Sequence, residues 1–308
     1  MNKLLVSPSP HIQSPDTTAS IMLDVIISLV PATVYGFILF GWRAAVVVAV
    51  TIAAALLSEF LWNKALKKEN SLGDLSAAVT GLILALNLPS TIPLWMAALG
   101  SAIAIIIVKL MFGGLGHNFA NPAMTARIVL MVSFPVAMTT FSQPLSSAIT
   151  SATPMLNPLG YSNIELLFGM HGGAIGEGNV ILLAIGGIYL MSRRVISPII
   201  PVSFIGTTFL LTWALYPIYQ INPVSSILSG GLFLGAIFMA TDYVTSPTFN
   251  LGKLIFGVGC GLITVVIRVF GSLPEGVSYA ILLMNLLVPY INMLTARKPF
   301  FKEEVTNE

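Results

Sequence analysis

The segment ALNLPSTIP (Ala85–Pro93) closes an apolar stretch with polar residues and prolines, and MATDYVTSP (Met239–Pro247) closes another in the same way. Proline lacks a backbone N–H and ends or kinks a helix, so each segment marks the end of a helix. One segment lies in each half of the chain. The pattern indicates that the second half repeats the first.

A second pair of features supports this repeat. The apolar stretch after each segment places a cation nine residues after a glycine, from Gly100 to Lys109 and from Gly259 to Arg268. A Phe-Gly pair soon follows each cation, at Phe112-Gly113 and Phe270-Gly271. The alternative interpretation is that the two halves are similar by chance, because both are rich in apolar residues.

Apolar stretches fill the rest of the chain. Of its 308 residues, 56% are hydrophobic and 8% are charged, whereas soluble domains carry about 25% charged residues. A membrane-spanning helix needs roughly 20 mostly apolar residues. We therefore predict an all-α integral membrane protein with ten spans, at about 21–41, 43–62, 74–89, 93–112, 124–140, 179–192, 196–216, 223–241, 252–271 and 277–295.

The positions of lysine and arginine predict the orientation, since these residues mark the cytoplasmic side of a membrane. With both termini in the cytoplasm, only Arg43 and Arg268 lie outside. The other twelve cations lie inside or near the inner end of a helix: Lys3, Lys64, Lys67, Lys68, Lys109, Arg127, Arg193, Arg194, Lys253, Arg297, Lys298 and Lys302. The lysine-free and arginine-free segment 141–178 is then the large extracytoplasmic loop.

This loop divides the chain into two groups of five spans. The predicted organisation is a cytoplasmic segment 1–20, a first repeat 21–140, the loop 141–178, a second repeat 179–295 and a cytoplasmic tail 296–308. Because each half has an odd number of spans, equivalent helices point in opposite directions. Inverted repeats of this kind place ligand sites at the interface between the halves.

Ionisable residues at membrane depth are costly and are functional candidates by default. Asp24, Glu59 and Asp242 are therefore candidates for ion coupling. Thr245 and other hydroxyl residues surround Asp242, which favours contact with a ligand or partner. Asp74 opens the third span, where an acid either caps the helix or has a functional role.

The segment GGLGHNFANPAMTAR (Gly113–Arg127) follows the fourth span. Asn118 and Asn121 supply amide donors and acceptors that suit the edge of a flat heterocycle. The alternative is a glycine turn in which Asn121-Pro122 begins the fifth span. The chain has no nucleotide-binding glycine motif and no CxxC. Its histidines have no metal-ligand spacing, and Cys260 is interpreted as a packing residue.

The loop contains the motif Thr150-Ser151-Ala152-Thr153, in which small residues leave the last hydroxyl accessible. This motif resembles the Ser-Gly-Ala-Thr type of site on which a flavin transferase attaches FMN through a phosphoester. With SPSPHI, IMLDVIISLVPA, DLSAAVTGLILALNLP, GHNFANPAMTAR and FMATDYVTSP, the chain resembles the D subunits of Rnf ion-translocating electron-transport complexes. It is also similar to the B subunits of sodium-pumping NADH:quinone reductases. Ser147 stands where the family motif usually has an acid.

The resemblance implies covalent FMN on Thr153. It also implies a second, non-covalent flavin, riboflavin, whose candidate binding residues are Asn118, Asn121, Asp242 and Thr245. It also implies a urea-transporter-like fold in a bacterial cytoplasmic membrane. The implied partners are other complex subunits, including an outer-face flavoprotein, and the maturing flavin transferase; nucleic acid is not among them. Two alternatives remain, a cofactor-free channel of urea-transporter type and a purely structural anchor.

Overall fold

The computed structural model describes residues 16–68, 71–151, 161–219, 222–271 and 276–296, with the backbone alone for 146–151. The described part is almost entirely helical. Its first half contains α1 (Thr18–Phe40), α2 (Trp42–Ala65), α3 (Ser76–Leu86), α4 (Leu94–Ala102), α5 (Pro122–Ser133) and the short α6 (Pro135–Thr139). A β-hairpin of β1 (Phe141–Gln143) and β2 (Ser146–Ser151) follows, and then α7 (Asn163–Phe168).

The second half contains α8 (Val180–Ser192), α9 (Ile199–Tyr219), α10 (Pro223–Leu228), α11 (Leu232–Leu234), α12 (Asn250–Phe270) and α13 (Val277–Thr295). Two helices continue as π-helices, α4 through Ile103–Leu110 and α11 through Gly235–Met239. Short 3₁₀ turns precede α3, at Leu72–Asp74, and α8, at Ile175–Glu177.

The prediction of an all-α membrane protein is confirmed. Within the described residues, α1, α2, α9, α12 and α13 are long and apolar enough to cross a membrane. Shorter apolar helices occupy the third, fourth, fifth and sixth predicted spans. Two spans predicted as continuous helices are broken. The fifth is interrupted at Phe134, which precedes a proline, and the eighth at Gly230 and Gly231, whose φ angles of 69° and 65° are left-handed.

The helices pack in the same pattern in both halves. Helix α2 contacts α3 and α4, and α9 correspondingly contacts α10 and α12. Across the halves α1 packs on α8 and α5 packs on α13, so that equivalent helices meet in pairs. The α1–α8 contact is close because a Cβ on Gly186 would lie 2.5 Å from the Ser28 carbonyl oxygen. This is the arrangement that the predicted repeat requires.

The start of α3 settles the interpretation of Asp74. Its Oδ1 atom accepts hydrogen bonds from the backbone N–H of Ser76 at 2.8 Å and from the Ser76 hydroxyl at 2.6 Å. The intervening Leu75 is left-handed, with φ of 60°, and turns the chain into the helix. Asp74 is thus a helix-capping residue.

The chain between α7 and α8 packs against the first half. Ile175 is fully buried, and its N–H donates to the Leu88 carbonyl at 3.1 Å. The Tyr35 hydroxyl on α1 donates to the carbonyl of Phe168 at 2.8 Å. This connection therefore joins the two halves.

Gly169, which ends α7, is a position where a side chain should not be tolerated. Its φ is 68°, and an added Cβ would lie 1.4 Å from the Gly178 carbonyl oxygen. We expect Gly169→Ala to lower the free energy of unfolding by about 3 kcal/mol, from left-handed strain and overlap. Gly206→Ala is the control, since a Cβ there meets nothing within 4 Å and favours the helix. Thermal unfolding in detergent compares the two; an equal midpoint for G169A and the parent would contradict the expectation.

Candidate functional site

A cavity of about 400 Å³ lies between the two halves. Much of its wall is apolar, with Ile21, Val25, Val79 and Ile83 from one half and Ile237 and Phe238 from the other. The polar residues of the lining are Thr18, Ser76, Thr80, Lys109, Asn118, Asn121, Thr241, Asp242 and Tyr243. An apolar cavity with a few polar groups is typical of a site for a small organic ligand. Three of the predicted site residues, Asn118, Asn121 and Asp242, thus line one cavity.

Asn118 has an unsatisfied acceptor at this wall. Its Oδ1 atom is buried and has no hydrogen-bond partner among the described residues. Leaving a buried oxygen without a donor costs about 1–3 kcal/mol. A ligand with an N–H or O–H group would remove that cost.

Asn121 has a structural role at the same wall. Its Oδ1 caps α5 by accepting from the Met124 N–H at 3.2 Å, and its Nδ2 donates to the Met239 carbonyl at 3.3 Å. The amide of Asn285 on α13, oriented to satisfy its neighbours, accepts from the Asn121 N–H and donates to the Thr245 carbonyl. The alternative interpretation from the sequence, in which Asn121-Pro122 begins a helix, is thus correct for the local structure. The same residue fixes one half against the other.

Asp242 and Thr245 lie together in the segment after α11. The Thr245 hydroxyl donates to Asp242 Oδ2 at 3.0 Å. Thr245 is buried and does not line the cavity, so its contact with the site is through Asp242. The carboxylate is thereby positioned at the cavity wall.

A buried ion pair adjoins the cavity. Lys109 Nζ lies 2.9 Å from Glu59 Oε2, and the two side chains are 2% and 1% exposed. The ammonium also donates to the Ser76 hydroxyl at 2.6 Å, while Ser71 donates to Glu59 Oε1. The π-helix Ile103–Leu110 carries Lys109, and such helices are frequent at functional sites. The sequence identified both residues, but not their contact.

Arg268, the equivalent cation of the second half, binds backbone carbonyl groups. Its guanidinium donates to the carbonyls of Ser226, at 2.6 Å, and Ser229, at 3.2 Å, next to the break between α10 and α11. Lys109 likewise contacts the residue that begins α3. Both cations therefore reach the short helix of their own half, in agreement with the repeat.

Arg127 corrects the predicted charge count. It is 3% exposed, its Nη1 donates to Asn87 Oδ1 at 2.6 Å, and its Nη2 lies 3.8 Å from Glu177 Oε1. An arginine held by α3 and by the connection before α8 is not in a cytoplasmic surface loop. Without Arg127 and the buried Lys109, the predicted inner set contains ten cations, and the orientation stays a prediction.

Sequence reasoning missed the Arg127–Asn87–Glu177 cluster. Asn87 was visible only as the one amide in ALNLP, and Glu177 as one of two acids in the loop. His171 is also buried near this cluster, and burial lowers its pKa below the ordinary value despite a bond to the Gly172 carbonyl. The connection 169–178 is thus a packed part of the protein.

Asp24 is bound to the partner half. Tyr189 donates to Asp24 Oδ1 at 2.8 Å, and Arg193 Nε donates to Oδ2 at 3.2 Å. Tyr189 belongs to α8, and Arg193 is the residue that caps its C-terminal end. Asp24 therefore joins α1 to α8 and does not line the cavity.

The motif Thr150-Ser151-Ala152-Thr153 begins in a strand. Thr150 pairs with Ser142, and Ser151 pairs with Phe141. Strand β1 is anchored through a 2.7 Å hydrogen bond between the Ser142 and Ser90 hydroxyls. Within the predicted loop 141–178, the backbone of Ser146–Ser151 pairs with β1 and forms a hairpin. Ala152 and Thr153 lie outside the described residues.

Fold and site together define a multi-pass membrane protein with a largely apolar cavity between its two halves. The chain belongs to the NQR2, RnfD, RnfE family, whose model matches residues 5–301. It is 43% identical to the D subunit of the Na(+)-translocating ferredoxin:NAD(+) oxidoreductase complex of Acetobacterium woodii, over 99% of this chain and 98% of that protein.

Other relatives carry similar names. The D subunit of the proton-translocating ferredoxin:NAD(+) oxidoreductase complex of Clostridium ljungdahlii is 43% identical, over 96% of this chain and 95% of the relative. The D subunit of the ion-translocating oxidoreductase complex of Halorhodospira halophila is 33% identical, over 92% and 91%. The resemblance stated from the sequence motifs is confirmed.

Proposed function

We propose that this protein is the D subunit of a membrane complex that transfers electrons between ferredoxin and NAD and moves sodium ions or protons across the membrane. The support is similarity over nearly the whole chain to subunits named for that reaction. As a subunit, the protein is not catalytic alone. Its proposed location is the bacterial cytoplasmic membrane, with both termini in the cytoplasm and 141–178 on the outer side.

The proposed task of the chain is to hold two flavins in an electron relay. The single observation that carries this proposal is the cavity, because its apolar walls suit a flat ring system and its polar groups suit the ring's edge. Asn118 would accept a hydrogen bond from the ligand, while Asp242 and Lys109 provide charges at the wall. A flavin bound there would supply one- and two-electron chemistry, which the chain itself lacks.

The second flavin is proposed to be FMN, linked to Thr153 by a flavin transferase that reads Thr150-Ser151-Ala152-Thr153. The hairpin supports this assignment, since anchored β1 fixes the backbone that leads into the motif. An outer-face flavoprotein subunit is the proposed exchange partner of this flavin. The other subunits of the complex and the lipid bilayer would cover the exposed helix faces.

The candidates for ion coupling differ in their environments. Glu59 is neutralised by Lys109, and Asp24 is bound by Arg193 and Tyr189. Asp242 has no ion pair among the described residues and lies at the cavity wall. We therefore propose Asp242 as the acid through which redox change in the cavity and ion movement are coupled.

The test is a count of flavins. The chain is produced with a flavin transferase and precipitated with acid, and released and retained flavin are measured separately. The relay requires about one flavin in each fraction. A colourless chain that lets small solutes pass through liposomes would support the channel instead. Full electron transfer by a complex with a flavin-free chain would support the structural anchor.

Removal of the unsatisfied Asn118 side-chain oxygen should weaken the binding of riboflavin in the cavity. We expect Asn118→Ala to lower the affinity for riboflavin about tenfold, the value of one hydrogen bond, without changing the covalent flavin. Asn250→Ala, at an exposed position outside the cavity, is the control. Riboflavin titration of the depleted protein measures the affinity, and equal affinity in N118A and N250A would contradict the assignment.

A further inference from the structure

A second cavity, of about 360 Å³, adjoins the first at the turn between α8 and α9. It shares Val195, Ile196, Thr241 and Tyr243 with the first cavity, but its other polar residues are different. Its polar lining consists of Arg194, Ser197, Thr241, Tyr243, Ser246 and Lys253. No acidic side chain is part of this lining. The cavity is therefore positively charged.

The two cations have no acidic partner in the described part of the chain. The neighbouring Arg193 binds Asp24, whereas neither Arg194 nor Lys253 forms an ion pair with a described residue. The nearby Asp242 faces the first cavity and accepts a hydrogen bond from Thr245. Both cations line the same cavity, so each would attract an anion that bound there.

Lys253 lies where electrostatics disfavour a cation, and Arg194 lies where backbone propensity disfavours a residue other than glycine. Lys253 lies in the first turn of α12, which has no acidic residue there, and a helix N-terminus already carries partial positive charge. Arg194 has a φ of 59° just after the end of α8, a position at which glycine is the usual residue. Local structure therefore does not explain why cations occupy these positions.

Two hydroxyls remain to donate to an anion. Ser197 Oγ accepts only a long bond, 3.5 Å, from the Ile199 N–H, so its O–H group is unused by described residues. Ser246 lines the cavity, and Tyr243 is already committed to the Val195 carbonyl. Two cations and hydroxyl donors without a carboxylate form a donor set that matches a phosphate group.

We propose that this second cavity binds a phosphate group, and that its source is the headgroup of an anionic membrane phospholipid. The apolar remainder of the lining, including Met191, Ile196 and Ile200, suits the part of a lipid next to its headgroup. Basic pockets between membrane helices bind anionic headgroups by this chemistry. A headgroup bound in the second cavity would restrict the position of Thr241–Ser246, the segment that carries Asp242. The proposal does not depend on a flavin in the first cavity.

The test is native mass spectrometry of the full-length chain in detergent, titrated with phosphatidylglycerol or phosphatidylcholine. We expect the parent to prefer phosphatidylglycerol at least tenfold, and Arg194→Gln/Lys253→Gln to lose that preference. Lys64→Gln/Lys68→Gln is the matched control, because it removes two charges at the end of α2, outside the cavity. An unchanged preference in the first double variant would overturn the proposal.

A competition with inorganic phosphate distinguishes the two sources. If millimolar phosphate does not displace phosphatidylglycerol, the headgroup is the ligand. If phosphate binds to the parent but not to the double variant, and the lipids show no preference, the phosphate site stands and its source is soluble.

The variant Arg194→Gly separates an effect on lipid binding from an effect on folding, since glycine suits the left-handed position. R194G should keep or raise the thermal midpoint while losing at least half of the lipid preference; full preference would contradict the role of Arg194.

Discussion

Lys109→Met is expected to destabilise this protein more than any other single charge removal among the described residues. It leaves the Glu59 carboxylate at 1% exposure without its cation. Breaking a buried ion pair by removing one partner costs about 3–5 kcal/mol, because the other charge stays buried and uncompensated. The expected result is a large fall in the free energy of unfolding, measured in detergent by denaturant titration.

The double variant Glu59→Gln/Lys109→Met should recover most of that loss, since neither charge then remains. Replacement of a buried pair by neutral groups is often close to neutral. Lys64→Met is the control, as an exposed lysine in the last turn of α2 whose removal should change stability by less than about 0.5 kcal/mol. Equal stability of the two single variants would show that the pair does not form.

Ion transport by E59Q/K109M then tests whether Glu59 takes part in ion coupling. Transport at the parental rate would exclude Glu59 from that role.

Thr153→Val is expected to abolish the covalent flavin completely. Valine keeps the branched shape of threonine and removes the hydroxyl that would form the phosphoester. In-gel fluorescence of the denatured chain, made with a flavin transferase present, should be strong in the parent and absent in T153V. The flavin released by acid should stay unchanged, because the substitution removes only the hydroxyl that would form the covalent bond.

Thr150→Val is the matched control for that experiment. Thr150 is the first hydroxyl of the same motif, and its backbone pairs with Ser142 in the hairpin. T150V should keep its fluorescence band, whereas a band that disappears in T150V and persists in T153V would move the attachment site. A dark parent chain would mean that Ser147, in place of the usual acid, prevents modification.

Three residues that the sequence singled out lie together in the structure, whereas one arginine that it placed at the surface is buried. Asn118, Asn121 and Asp242 were chosen as isolated polar residues near helix ends, and they line one cavity. Helix ends are local features, which spacing and prolines reveal. Arg127 was placed at the cytoplasmic surface because an arginine near the start of a span resembles a flanking cation. Its contacts with Asn87 and Glu177 join segments that are far apart in the chain.

The sequence by itself determined the membrane class, the repeat and the residues that can carry chemistry. Hydropathy, proline positions and cation spacing are properties of short segments, so they can be identified from the sequence without the tertiary structure. Only the tertiary structure decided which charges are paired, where the two broken helices lie and which polar atoms face a cavity. The reason is that Lys109 with Glu59, Asp24 with Arg193, and the walls of both cavities depend on how helices from separate parts of the chain pack.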